Sequence, residues 1–285
     1  MRVLVTGAKG MLGLDLCAVS AQKHEVVATD VEEMDVRDHA LVFHTLNEVR
    51  PDLVVHLAGI TDVDRCEKEP DLAYSVNALG TRNVALACQR VGATMIYVST
   101  LAVFDGTKCE PYTEFDKPNP QSHYARAKYQ GEVMVRDFLD RYYIVRTGWL
   151  FGGGREDKKL VGRIIELART HSELMVINDK FGSPSYTRDL SSGIMQLVET
   201  GQYGTYHMVN TGPASSEYEI AQRTLEYARI GNCRLIPCSS AHFPLAAPRP
   251  RMEAGHNYNL QLMGLEFMRP WQDALNEYIE ATWNK

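Results

Sequence analysis

The chain has 285 residues, 45% of them hydrophobic and 23% charged, and a formal net charge of -6. That length supports a large core, as one big domain or a domain with an appended lobe; the acidic balance gives no case for nucleic-acid binding, so a phosphate-bearing substrate needs local cations. No apolar run approaches the ~18 residues of a membrane span, the sequence opens directly on a strand without a charged leader, and the six cysteines stand apart with no CxxC pair, so a reduced, cytoplasmic protein with plainly buried thiols is expected.

In chain order, "RVLVT" (2–6) is a short β-branched run, followed by a glycine turn and a helical stretch over 11–22. A second strand over 24–30 and a helix-spaced run over 39–49 follow, then a third strand over 51–59 and a long helix over 71–92 that ends in Gly92. The fourth strand covers 94–100, the next helix 122–139 and a further strand 142–148. Apolar strands alternating with helices of this length predict βαβ units and a parallel sheet covered on both faces, with right-handed crossovers. Past residue 150 the rhythm breaks into a glycine loop (151–157), a helix (158–170), a short strand (174–177) and a loop (179–190). Helices near 188–200 and 216–229 flank 204–210, and a Pro-rich segment (238–259) precedes a last helix over 270–283. There is no internal repeat. The back half reads as a smaller lobe built onto the sheet, which places a cleft between them.

"VTGAKGMLG" sets Gly7, Gly10 and Gly13 at GxxGxxG spacing after the first strand and at the opening of the first helix. Such a turn lets backbone approach a pyrophosphate, while the helix N-terminus offers N–H donors and a favourable dipole. A glycine triplet alone is weak, but the βαβ context that the motif requires follows at once, and dinucleotide binding is expected. Asp30, at the end of the second strand, is placed to accept from ribose hydroxyls and favour NAD, whereas Lys9 inside the turn is placed to favour the 2′-phosphate of NADP. The residues leave the choice between NAD and NADP open.

"YVSTLAVFDG" runs off the C-terminal end of the fourth strand, where ligands bind in open α/β sheets. Ser99 and Thr100 therefore carry hydroxyls near the cleft. In "SHYARAKYQGE", Tyr124 and Lys128 lie four apart on one helical face. A Lys cation beside the phenol is expected to lower the Tyr pKa. Tyr124 can then give a proton to a carbonyl oxygen as hydride arrives from a nicotinamide, with Thr100 bonding the same oxygen. The nine His form no HxxxH or HxH cluster, so no metal site is expected. Asp62, Asp64, Glu67 and Glu69 read as a solvated acidic face, and Asn77, mid-helix, as a brace for neighbouring backbone.

The ordered series "TGAKGMLG", "PDLVVHLAGITDVDRCEKEPDLAYSVNALGTRNVA", "VSTLAVFDG", "PYTEFDKPNPQSHYARAK", "IVRTGWLFG", "DKFGSPSYTRDL", "GTYHMVN" and "APRP" spans nearly the whole chain. In it the chain resembles the dTDP-4-dehydrorhamnose reductase (dTDP-L-rhamnose synthase) family of extended short-chain dehydrogenase/reductases. The resemblance implies a Rossmann-type doubly wound parallel sheet with a smaller C-terminal α/β substrate lobe. The dinucleotide domain would cover 1–150, with the chain crossing back near 179–215, and 151–285 would form mainly the nucleotide-sugar lobe. It implies Thr100, Tyr124 and Lys128 as the catalytic set, with Lys128 also holding the nicotinamide ribose. The cofactor-binding set becomes Gly7, Lys9, Gly10, Met11, Leu12, Gly13, Asp30, Asp35, Val36, Ala58 and Gly59, together with Tyr124 and Lys128. Thr61, Val63 and Trp149 match positions of the sugar cleft, and Arg249 matches an arginine suited to a diphosphate.

One departure stands out. The family carries an acid and an aromatic before "VFDG", where this chain has Leu101 and Ala102, and Gly148 stands where a serine is common. Losing the acid and the ring beside the sugar is expected to change which hexulose fits or to mark decayed turnover. The implied activity is reduction of the 4-keto group of a nucleotide-diphosphate 6-deoxyhexulose by NADPH or NADH, in deoxysugar or cell-surface polysaccharide synthesis. The alternatives are a non-catalytic NADP-binding regulatory subunit of the same fold, or a reductase or epimerase of another nucleotide keto-sugar. The expected partners are that sugar nucleotide and, for assembly, a second copy as a homodimer, with neither nucleic acid nor membrane.

Overall fold

In the computed structural model, residues 1–154, 157 and 159–284 are described. Residues 155, 156 and 158, within the predicted loop over 151–157 and at the start of the predicted helix over 158–170, lie outside the described residues, as does residue 285.

The first half alternates strand and helix: β1 (Arg2–Thr6), α1 (Met11–Ser20), β2 (Glu25–Thr29), α2 (His39–Val49), β3 (Leu53–His56), α3 (Val63–Lys68) and α4 (Pro70–Tyr74). A π-helical turn (Ser75–Gly80) leads into α5 (Thr81–Val91), then β4 (Thr94–Thr100), α6 (His123–Phe138) and β5 (Tyr142–Thr147). The second half holds β6 (Leu150–Phe151), α7 (Leu160–Ala168), β7 (Glu173–Ile177), β8 (Phe181–Gly182), β9 (Ser185–Tyr186), α8 (Thr187–Thr200) and β10 (Gly204–His207). It closes with β11 (Ser215–Ser216), α9 (Glu217–Tyr227), β12 (Arg234–Cys238), β13 (Met252–Glu253), α10 (Tyr258–Leu262) and α11 (Trp271–Thr282).

Six strands form one parallel sheet in the order β10-β5-β4-β3-β1-β2. Such strands are buried on both faces, and the β-branched runs Val3–Val5 and Val54–Val55 accordingly show almost no exposure. α1 and α8 cover one face over a core of Val3, Val5, Leu16, Leu190 and Ile194. The Thr187 hydroxyl at the start of α8 donates to the Asp15 carboxylate on α1. α2, α5 and α6 cover the other face over Leu4, Val42, Leu46, Val84 and Ile144. β1 leads outward to β2 while β3 lies on its other side, so the order reverses at β1 and opens the crevice where α/β sheets bind ligands.

The predicted helix over 71–92 is three segments, because the chain widens to a π turn at Ser75–Gly80. That turn carries Asn77, whose side chain closes both backbone groups of Ile60, at 2.8 Å and 3.0 Å. Gly92 ends α5 in the left-handed region, as its position suggested. The Pro-rich stretch holds more order than expected: β12 pairs with β7, and β13 with β8. Both are edge strands, where Pro237 removes no interior ladder bond. Among the described residues no helix is long and apolar enough to cross a membrane.

Candidate active site

α1 begins at Gly10 without any side-chain cap, so its first N–H groups are left for a ligand. Gly7 has φ 66, and a Cβ there would come within 2.8 Å of the Ala58 nitrogen. A Cβ at Gly13 would come within 2.4 Å of the Gly7 carbonyl. The turn is therefore closed to side chains at both positions, which leaves bare backbone facing the cleft and fits a pyrophosphate.

That cleft has a volume of about 1020 Å³, at the upper end of the range for small-molecule sites. The residues assigned above to the catalytic, cofactor-binding and sugar sets line it. Gly7, Lys9, Gly10, Met11, Leu12 and Gly13 line it with Asp30, Asp35 and Val36, and so do Gly59 and Ala58, whose backbone lies against Gly7. Thr100, Tyr124 and Lys128 line the same cleft, as do Thr61, Val63, Trp149 and Arg249.

α6 is fixed at its start by the Ser122 hydroxyl, which accepts from the Ala125 N–H at 3.2 Å. This holds Tyr124, in the first turn, against the end of β4. The Thr100 hydroxyl accepts from the Ala102 N–H at 3.1 Å and lies beside the Tyr124 phenol, where it favours the ionised form of that phenol. Lys128 is buried, and its Nζ donates to the Val98 carbonyl at 2.8 Å and sits 4.1 Å from the Tyr97 ring centroid.

The expectation that Lys128 lowers the Tyr124 pKa is corrected. Burial holds the phenol well above its usual range against the opposing Thr100 hydroxyl, and the nearby acid Glu253 adds to the rise. Lys128 is turned to Val98, and burial takes its own pKa down to about 7, against the pull of Glu132. The arrangement is a neutral phenol, a proton donor, beside a lysine that titrates near neutrality.

Two further expectations change. Leu101 does not face the cleft: it is fully buried with Val103, Phe104 and Met252. A Cβ at Gly255 would come within 2.7 Å of its side chain and one at Gly148 within 3.3 Å, so both glycines make room for this leucine. Only Ala102 of the pair lines the cleft. The acidic run is a solvated face only in part: Asp62 and Glu69 are exposed, Asp64 and Glu67 half-buried. Asp62 caps α3 by accepting from the Arg65 N–H, Glu67 accepts from the His123 N–H, and Glu69 pairs with Arg65. Asp64 accepts from Arg249 Nη2 at 2.9 Å and from the Ala247 N–H at 2.9 Å, tying the Pro-rich loop across the cleft mouth.

Lys9 is likewise committed, with Nζ 2.7 Å from Glu32 and 3.1 Å from Glu33, while Asp30 accepts from the Lys9 N–H at 2.9 Å. The sequence reading missed Glu217 and Glu253, two acids that line the cleft. Neither sits in a motif or a period, so only the fold brings them there. Among the described residues no group of three or more His, Cys, Asp or Glu could hold a metal ion.

A backbone cradle for pyrophosphate in the sheet crevice and a phenol with a hydroxyl beside it in the same cleft place the chain among the Rossmann-type dinucleotide-dependent oxidoreductases. Comparison narrows that class. A family model described as RmlD substrate binding domain matches residues 1–283, and the chain belongs to that family. It is 35% identical to the spore coat polysaccharide biosynthesis protein SpsK of Bacillus subtilis, over 98% of this chain and 97% of that one. It is 36% identical to the dTDP-4-dehydrorhamnose reductase of Mycobacterium tuberculosis, over 99% and 94% respectively. Among solved structures, the dTDP-4-dehydrorhamnose reductase of Bacillus anthracis in complex with NADP superposes with a TM-score of 0.94 at 38% identity, over 99% of both chains.

Proposed function

We propose that the chain is an NAD(P)H-dependent reductase of the 4-keto group of a nucleotide-diphosphate 6-deoxyhexulose, dTDP-4-dehydrorhamnose or a close analogue. The observation that carries this reading is the Thr100–Tyr124 hydroxyl pair, set in the wall of a cleft that also holds a side-chain-free glycine cradle. When bound, the reduced nicotinamide supplies the hydride. Tyr124, a neutral, half-buried phenol, gives its proton to the carbonyl oxygen. Thr100 turns its hydroxyl to the same oxygen and steadies the charge that develops there. Lys128 holds a ribose hydroxyl and, with a pKa near 7, returns a proton to Tyr124. Trp149 walls the sugar, and Thr61 and Val63 line its approach. Arg249 meets the diphosphate once it leaves Asp64.

Oxidation of NADH and NADPH, followed by absorbance with dTDP-, UDP- and GDP-4-keto sugars, tests the reading. At least one dTDP-4-keto-6-deoxyhexulose is expected to turn over; normal cofactor binding with no turnover on any sugar overturns it and favours a binding subunit of the same fold.

The acids around Lys9 predict the cofactor balance. With Glu32 and Glu33 holding Lys9, a 2′-phosphate there meets more acid than base. Replacing both with Gln is expected to strengthen NADPH binding roughly three- to tenfold at low salt and leave NADH binding nearly unchanged. Fluorescence titration reads both; an equal change for the two cofactors counts against the assignment.

A further inference from the structure

With Leu101 turned into the core, the end of β4 offers the cleft no carboxyl, yet the opposite wall does. Glu253 lies on β13, whose parallel pairing sets it beside Gly182 of β8. It lines the cleft with Thr100, Tyr124 and Trp149. One carboxyl oxygen accepts from the Trp149 indole N–H at 3.3 Å. The other oxygen has no donor among the described residues.

Its setting is rigid. Trp149 holds a left-handed backbone, φ 37, and its ring lies so close to Gly182 that a Cβ there would come within 2.3 Å of it. The nearby cations are engaged elsewhere: Arg249 on Asp64 at 2.9 Å, and Lys180 on the Arg249 carbonyl at 2.6 Å. Glu217 on α9 is a second acid of the same wall, and Tyr124 faces it from α6. A half-buried carboxyl with no ion partner, one oxygen of which opens on the cleft, is placed to bond a ligand, and a hydroxyl-rich ring offers that partner.

We propose that Glu253 reads the hexulose hydroxyl adjacent to the reacting carbonyl through its open oxygen, and so determines which sugar this chain accepts. The proposal rests on the reductase reading above. Desolvation brings the Glu253 pKa up to about 7, with the Trp149 hydrogen bond, Arg249 and Lys180 opposing and Glu217 adding, so at neutral pH the carboxyl can donate as well as accept.

The test compares the parent, Glu253→Gln and Glu253→Ala on the accepted 4-keto sugar and on an analogue lacking the adjacent hydroxyl. Glu253→Ala is expected to lose roughly 10–100-fold in kcat/KM on the hydroxylated sugar and little on the deoxy analogue, with Glu253→Gln recovering much of the loss. Cofactor Kd should not change. Equal losses on both sugars, or none on either, overturn the proposal.

Calorimetric binding of the 4-hydroxy nucleotide sugar separates this outcome from failure of the reductase reading. If no variant turns over, a tenfold weaker binding by Glu253→Ala still supports the carboxyl's role, and unchanged binding overturns it. Stability gives a second readout. A group whose folded pKa is raised contributes stability that is fully present below its unfolded value near 4.3 and lost as pH rises through about 7. The Tm of Glu253→Gln should therefore gain on the parent between pH ~5 and ~8, and a gap that stays constant denies a raised Glu253 pKa.

Discussion

Tyr124→Phe is expected to lower kcat by about 10²–10⁴-fold while leaving the Kd for reduced dinucleotide unchanged. The phenyl ring keeps the shape that packs into the cleft wall, and the Ser122 cap keeps the first turn of α6 in place. What is lost is the proton that the carbonyl oxygen takes as it becomes a hydroxyl. Thr100 can still bond that oxygen, but its hydroxyl is a far weaker acid than a phenol, and water is the remaining source. Burial holds the phenol protonated through neutral pH, so the donor is fully loaded in the parent enzyme. Single-turnover oxidation of NADPH beside fluorescence titration of the cofactor checks both halves of the expectation. A variant that turns over like the parent removes Tyr124 from the chemistry.

Much of this frame is legible in the sequence because its signals are local. The β-branched runs, the glycine turn at Gly7–Gly13 and the αL stop at Gly92 each need only a few neighbouring residues to declare themselves. The Tyr124–Lys128 spacing is equally local, although their electrostatics are not. Whether Lys128 lowers the phenol pKa depends on the Val98 carbonyl, which lies 30 residues away and takes the ammonium instead. The misread parts are all long-range. Asp64 looks like one charge in a solvated run until the fold brings Arg249 to it across 185 positions. Leu101 looks like a substitution in the site until Gly148 and Gly255 show the space it fills. Glu253 carries no periodic or motif signal, because a two-residue edge strand is too short to show a pattern.

The largest expected effect on stability comes from Glu132, one turn beyond Lys128 on α6. It has no exposed surface, and its carboxylate receives Arg146 Nε at 2.9 Å and Nη2 at 2.7 Å from β5, and the Ser99 hydroxyl at 2.6 Å from β4. A further ion pair with Arg136 on its own helix lies at the edge, at 3.3 Å. The helix that carries Tyr124 and Lys128 is thus fastened to the two strands beneath the cleft by one side chain. Glu132→Ala leaves the Arg146 guanidinium buried without its counter-charge, and Nη1 of that arginine already lacks a partner among the described residues. We expect a loss of about 3–5 kcal/mol in urea unfolding. Pairing it with Arg146→Met removes the stranded charge and should recover part of that loss, since breaking a buried ion pair costs mostly through the uncompensated charge it leaves. A double variant as unstable as Glu132→Ala alone would mean that the loss arises from the emptied volume beside Ser99, not from the charge.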